Sequence, residues 1–222
     1  MGLGPATASH AVSDAGPVAT AEQPQQHETF QIRPAGAVDG VRLDASIQSE
    51  LGVEWEQQIN GYYCGPAATR MALKAKHDSP PNQNDLAAMM GTDQAGTDHI
   101  GLVADALDSV LGTGTDYVPK LLDYSPTPEQ KEMFRADVKA DVDTGYAVVA
   151  NIWVVAGGPR PAGYPSGDVF HYVTVIGYSD DGSEVLVADP AAGIGGFENV
   201  PSKYWIDADK MATLIGGKGY AA

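Results

Sequence analysis

The single cysteine of this 222-residue chain, Cys64, stands in a sequence that favours a reactive thiol. Gly65 and Pro66 follow it, and apolar residues at helical spacing continue from there, which predicts a helix beginning near the cysteine. Backbone N–H groups and the dipole at a helix start stabilise a thiolate, so the thiol pKa falls and the sulfur becomes nucleophilic at neutral pH. Taken alone, a lone cysteine is more often a small buried apolar residue.

A nucleophilic thiol needs a base, and His171 is the best placed of the five histidines. It opens a segment, residues 170–178, whose alternation predicts a strand with Tyr178 on the face of Ile176 and opposite to His171. The other histidines fall in the N-terminal segment or beside predicted helix ends: His10, His27, His77 and His99.

A hairpin brings a carboxylate back towards this histidine. Asp181 and Gly182 predict a tight turn after the strand, and the returning strand ends at Asp189, just before Pro190. An antiparallel hairpin then places Asp189 beside His171, where it can bond the second ring nitrogen and stabilise the imidazolium. Singly, a strand histidine is more often structural, and an aspartate before proline is commonly part of a turn.

The segment Gln58-Ile59-Asn60-Gly61-Tyr62-Tyr63-Cys64-Gly65-Pro66-Ala67 resembles the active-site segment of the double-glycine leader peptidases of bacteriocin export. It is also similar to their stand-alone relatives in the papain-like clan. In that family a glutamine precedes Cys-Gly-Pro-Ala by six positions, which selects Gln58 and not Gln57. The segments of His171 and Asp189-Pro190 match the family's histidine and aspartate segments.

The resemblance, which covers roughly residues 58–190, implies roles for four residues. Cys64 would be the nucleophile, His171 its base, Asp189 the partner of His171, and the Gln58 amide an oxyanion donor beside the Cys64 backbone N–H. Gly65 would allow close approach of a substrate. No metal or organic cofactor is required by this chemistry.

The remaining pattern predicts an α+β fold with the cysteine in a helical first half and the histidine and aspartate in an antiparallel second half. Asn84 and Asp98 are predicted to cap two helices that Gly91 and Gly112 end. Thr127 begins a capping box with Pro128 and Gln130. The resemblance identifies this as the papain-like cysteine peptidase fold.

The first 46 residues differ from the rest in being rich in small and polar residues, and they read as a flexible leader or pro-region. Residues 47–222 are expected to form the peptidase domain. Residues 156–168, which precede His171 and are rich in glycine and proline, are either a substrate-binding rim or an ordinary long hairpin connection.

The composition argues against several classes of partner and of structural site. A formal net charge of −16 argues against nucleic-acid and membrane-surface binding. No run approaches the roughly 18 apolar residues of a membrane-spanning helix. One cysteine excludes an intramolecular disulfide and a multi-cysteine zinc site.

These observations predict a cysteine peptidase that hydrolyses peptide or protein substrates through an acyl-enzyme. Secretion from a bacterial cell is expected from the leader composition and the resemblance. Because the sequence carries no transporter segments, cleavage after a double glycine is not carried over. Two alternatives stay open: an acyltransferase or cell-wall amidase using the same triad, and an inactive binding or inhibitory module of the same fold.

Overall fold

The structure is a computed structural model that describes residues 47–112, 114 and 116–222. The predicted leader or pro-region, residues 1–46, lies outside the described residues. Among the described residues, none of the helices combines the length and the apolar character needed to cross a bilayer.

Five helices are present in the described ranges: α1 (Cys64–Lys74), α2 (Gln83–Met90), α3 (Ile100–Leu111), α4 (Pro128–Thr144) and α5 (Ala208–Ile215). The capping box that opens α4 is confirmed, because Thr127 and Gln130 each accept from the other's backbone N–H. The prediction that Gly91 and Gly112 end α2 and α3 is also confirmed.

The predicted starts of α2 and α3 were wrong by one or two residues. The side chain of Asn82, not Asn84, accepts the backbone N–H groups that open α2. At α3 the capping position is His99 rather than Asp98, and the His99 side chain makes no capping hydrogen bond. In both places several residues of suitable type lie close together, so local sequence alone does not select among them.

The described part of the chain contributes seven strands to one sheet: β1 (Ile47–Glu50), β2 (Pro119–Lys120), β3 (Val148–Val154), β4 (Val169–Ser179), β5 (Glu184–Ala188), β6 (Lys203–Asp207) and β7 (Gly219–Ala221). Their order is β2-β7-β3-β4-β5-β6, with β1 pairing separately with β4, and each pair is antiparallel. The predicted α+β class is confirmed, with the Cys64 helix before the sheet that carries His171. Strand β4 lies at the centre and is buried from His171 onward.

Helices cover both faces of the sheet. One apolar cluster joins the sheet to α4 and α5, with Phe134 and Met211 among its fully buried side chains. The other joins it to α1, α2 and α3 and includes Met71 and Leu107. The Thr174 hydroxyl donates to a backbone carbonyl of α1 at 2.9 Å, so the central strand is fixed directly to the helix that begins at the cysteine.

The predicted face of Tyr178 was wrong. The pairing of β4 with β5 shifts between Val175 and Gly177, so one extra residue of β4 reverses the side-chain alternation. Ile176 packs with the α1–α3 cluster, whereas Tyr178 joins the α4–α5 cluster. There its hydroxyl lies between Lys139 and the carboxylate of Asp143.

Candidate active site

Cys64 is the first residue of α1 and is buried, with 9% of its surface exposed. Tyr63 occupies the capping position, and its side chain makes no capping hydrogen bond to this helix end. The sulfur therefore lies where uncapped N–H groups and the helix dipole favour negative charge.

The structure explains the glycine at position 65 by packing within the protein, whereas the prediction was that it lets a substrate approach. A Cβ atom at this position would lie 2.2 Å from Oγ1 of Thr97, so a larger residue would displace that side chain. Thr97 is buried, and its carbonyl accepts the hydroxyl of Tyr172 at 3.2 Å. The glycine therefore allows the segment before α3 to pack against the start of α1.

His171 lies near the beginning of β4, opposite Ile152 of β3, and only 4% of it is exposed. Its Nε2 lies 2.9 Å from Oδ1 of Asp189. An ionised carboxylate only accepts hydrogen bonds, so Nε2 carries a proton and Nδ1 is the nitrogen that remains for the thiol of Cys64.

The interaction of Cys64 with His171 shifts the pKa of both groups. Burial raises the pKa of the Cys64 thiol, but the hydrogen bond and charge of His171 outweigh this, and the net pKa is below the ordinary thiol value. Backbone N–H groups of Tyr172 and Gly65 act in the same direction. Burial lowers the pKa of His171, but the charge and hydrogen bond of Asp189, together with Cys64, raise it above its usual range. The site thus favours a thiolate paired with an imidazolium.

Asp189 directly follows β5 and is completely buried. Four donors surround its carboxylate: His171 and the Ala191 backbone N–H at Oδ1, and the hydroxyls of Tyr164 and Tyr204 at Oδ2. Burial raises the pKa of Asp189, but the charge of His171 and these hydrogen bonds bring the net pKa below its usual value. The carboxylate is therefore held ionised beside the imidazole.

Two aromatic rings enclose the histidine. Phe197 lies 6.0 Å from the His171 ring, centroid to centroid, and Tyr164 lies 6.2 Å from it in an edge-on arrangement. Tyr164 and Phe197 also contact each other, at 5.3 Å. The sequence did not predict a role at this site for Tyr164, Tyr204 or Phe197, because no local motif links these residues to Asp189 or His171.

Gln58 is buried, but its amide is not bonded to the other three candidate residues. Its Nε2 donates to the carbonyl of Asn60 at 2.7 Å, and its Oε1 has no partner among the described residues. Its backbone N–H donates to the carbonyl of Pro190 at 2.9 Å. The structure thus brings Cys64, His171 and Asp189 together and ties the Gln58 backbone to the segment of Asp189.

The remaining histidines lie apart from this group or outside the described residues. The Nδ1 atom of His77 accepts the Ser79 backbone N–H, and His99 is exposed at the start of α3. His10 and His27 lie in the segment that the structure does not describe. Within the described ranges, no group of three or more His, Cys, Asp or Glu residues could hold a metal ion.

Comparison with known proteins gives a family match and structural likenesses. The family model described as "Peptidase_C39 like family" matches residues 50–211, which is more than half of the chain. No curated protein matches. One similar solved structure is a double glycine motif protease from an AMS/PCAT transporter in complex with the leader peptide; it is 13% identical, with a TM-score of 0.47, over 78% of this chain and 92% of that chain. Another is the peptidase domain of Streptococcus ComA, a bi-functional ABC transporter involved in a quorum sensing pathway; it is 19% identical, with a TM-score of 0.45, over 76% and 95%.

Proposed function

The chain belongs to the Peptidase_C39 like family, and we propose that it hydrolyses peptide bonds with Cys64 as nucleophile and His171 as general base. The observation that carries the proposal is the position of His171. Its ring interacts with the thiol of Cys64, while its Nε2 lies 2.9 Å from the buried carboxylate of Asp189.

The reaction follows from the protonation states that the site favours. The Cys64 thiolate attacks the carbonyl carbon of the peptide, and His171 then donates its Nδ1 proton to the leaving amine. A water molecule, deprotonated by the same nitrogen, attacks the resulting thioester and releases the acid. Asp189 keeps the second nitrogen protonated and stabilises the imidazolium throughout.

We assign the oxyanion site to the Cys64 backbone N–H and the Gln58 amide. A glutamine amide nitrogen carries two hydrogens, and Asn60 accepts one of them. The second is the one proposed to bond the oxygen of the tetrahedral intermediate. The family membership, the buried position of Gln58 and its place six residues before Cys64 support this assignment.

Peptide or protein substrates and secretion belong to the same proposal. The leader composition, residues 1–46, supports export, and the net charge of −16 argues against nucleic-acid partners. Detection of the protein in the culture medium of its source cells would test the location.

The test of function is turnover of a diverse peptide library by the wild type and by Cys64→Ala, with products and covalent adducts followed by mass spectrometry. We expect cleavage and a thioester adduct in the wild type and neither in the variant. Since Ala is well tolerated at a helix start of this kind, thermal unfolding should show the variant folded. Equal turnover by the two proteins would refute the mechanism.

A parallel reaction with an added amine separates hydrolysis from acyl transfer. Products that carry the amine, in preference to free acids, would assign the chain to acyl transfer by the same triad. Cleavage that the amine leaves unchanged supports a peptidase.

A further inference from the structure

The carboxylate of Asp189 accepts as many hydrogen bonds as its geometry allows. A carboxylate offers about four lone-pair positions. At Oδ1 the donors are His171 Nε2 and the Ala191 N–H, each at 2.9 Å. At Oδ2 they are the hydroxyls of Tyr164 and Tyr204, the latter at 3.1 Å. With both oxygens fully occupied, any partial rotation of the carboxylate out of this plane weakens hydrogen bonds at both of them.

One of these hydroxyls comes from the long connection between β3 and β4, residues 155–168. This connection has its own internal bonds: the Ala156 N–H donates to the Asp168 carboxylate at 2.6 Å, and Arg160 donates to the carbonyls of Val155 and Pro165. These bonds hold the connection together, and from it the buried side chain of Tyr164 reaches the site.

Close backbone packing fixes this connection against the turn at residues 197–200. Gly163 has φ +81°, and a Cβ atom there would lie 2.2 Å from the carbonyl oxygen of Asn199. Any larger residue would therefore push the connection away from the turn. Because Tyr164 follows Gly163 directly, this contact fixes the backbone from which the Tyr164 side chain reaches Asp189.

We propose that Tyr164 and Tyr204 are positioning residues that hold Asp189 so that Oδ1 faces His171. The inference rests on the proposed function and extends it. It gives residues 155–168 a role as support for the Asp189 carboxylate, since they deliver one of the two hydroxyls. Tyr204, from β6, delivers the other.

The hydroxyl, and not the ring, carries this role. Phenylalanine would keep the ring contacts with His171 and Phe197 but would leave a buried carboxylate oxygen with one donor fewer. That oxygen would then compete with Oδ1 for the His171 N–H, or draw water into the site. Burial and the Asp189 charge raise the pKa of Tyr164 well above its usual value, so the phenol stays a donor throughout the working pH range.

The first experiment compares alkylation of Cys64 by iodoacetamide, across pH, in the wild type, Tyr164→Phe, Tyr204→Phe and the double variant. A weaker hold on Asp189 destabilises the imidazolium, so the Cys64 pKa rises towards the ordinary thiol value. We expect the rate of labelling at about pH 6 to fall about tenfold in each single variant. In the double variant we expect it to fall by more than the product of the two single-variant fold-decreases.

Tyr220→Phe is the matched control. Tyr220 is also fully buried, and its hydroxyl donates to a carboxylate, that of Asp137, at 2.6 Å. Its loss should lower stability but leave the labelling profile of Cys64 unchanged. If one of the two site variants does not fold, the other carries the same test. Profiles identical to the wild type in the variants that fold would overturn the positioning role.

A second measurement does not depend on activity or on a reactive thiol. In protein labelled with ¹⁵N-histidine, the His171 Nε2 proton should give a downfield resonance protected from solvent exchange. We expect that resonance to broaden or exchange faster in Tyr164→Phe and to persist in Tyr220→Phe.

The two measurements separate failure of the inference from failure of the proposed function. Slow labelling of the wild type at about pH 6 would refute the activated thiol, yet the resonance would still decide whether Tyr164 positions Asp189. An unchanged resonance in Tyr164→Phe, or no such resonance in the wild type, would overturn the inference whatever peptides are cleaved.

Discussion

The backbone N–H of Gln58 donates a hydrogen bond of 2.9 Å to the carbonyl of Pro190, the residue that follows Asp189. The chain entering the cysteine helix is thus fixed to the chain leaving β5. A second bond strengthens this connection, because the indole N–H of Trp55 donates to the Asp189 carbonyl at 2.7 Å. Two residues far apart in sequence, Cys64 and Asp189, are therefore held in one frame by backbone contacts as well as by His171.

Replacing Trp55 by Phe should destabilise the protein. The substitution removes the shorter of two hydrogen bonds to the Asp189 carbonyl and leaves only the one from the Ala192 N–H at 3.4 Å, which costs about 0.5–1.5 kcal/mol of the free energy of unfolding. Trp153→Phe is the matched control, because the indole N–H of Trp153 has no partner among the described residues. Urea unfolding measures both. A Trp55 variant no less stable than the Trp153 variant would contradict this use of the indole.

The thiol of Cys64 should be alkylated rapidly under mildly acidic conditions. Its pKa lies below the ordinary thiol value because of His171, so the thiolate persists as pH falls. In His171→Ala only the effect of burial and the backbone N–H groups remains, and labelling should rise only above about pH 8. His99→Ala, which changes an exposed histidine at a helix start, should label like the wild type. Rapid labelling of His171→Ala at about pH 6 would show that the thiol is activated without the imidazole.

Gln58→Ala should lower kcat by about 10²–10³ and change KM little, since an oxyanion donor acts mainly in the transition state. Gln57→Ala is the control at the neighbouring position. Its exposed side chain makes one hydrogen bond, to the Ala192 carbonyl, and its loss should lower kcat far less. Peptide kinetics with one cleaved substrate compare the two. Equal losses of kcat would remove Gln58 from the oxyanion site.

Asp141→Asn should stabilise the protein at neutral pH. Burial, and then the charge of Asp137, raise the pKa of Asp141 to about 6, and its Oδ2 has no partner among the described residues. The folded state therefore binds this proton more tightly than the unfolded state, and stability falls as pH rises from about 4 to about 6. Allowing for solvent screening, the gain from Asn above that range is on the order of 1 kcal/mol, and it disappears below about pH 4.

Asp143→Asn, on the same helix, should instead lower the stability of the protein at neutral pH. Hydrogen bonds from Lys139 and Tyr178 lower the pKa of Asp143, so its ionised form stabilises the fold at neutral pH. That contribution is lost as pH falls through the lowered pKa, and Asn should remove it at neutral pH. Thermal unfolding from acidic to neutral pH should show shifts of opposite sign for the two variants. Stabilisation by both substitutions would mean that net charge alone governs the effect.

Local sequence signals accounted for much of the architecture. The capping box at Thr127, the glycines that end α2 and α3 and the turn at Gly182 each depend on neighbouring residues, so a short window contains the information. The face of Tyr178 could not be read in this way, because it depends on a bulge in the pairing with β5. The strands and helix after Asp189 lacked strong local patterns and were not predicted.

The types and spacing of residues indicated the α+β class and made Cys64, His171 and Asp189 candidates, and the resemblance of their segments to a known family added Gln58 to the candidate site. Only the tertiary structure decided how that site is supported: by Tyr164 and Tyr204 on the Asp189 carboxylate, by Phe197 beside His171, and by the hydrogen bond of Gln58 to Asn60. The reason is physical. A motif reflects contacts between residues close along the chain or across one hairpin, whereas these partners come from separate loops and strands. Their approach depends on how the whole chain packs around the sheet.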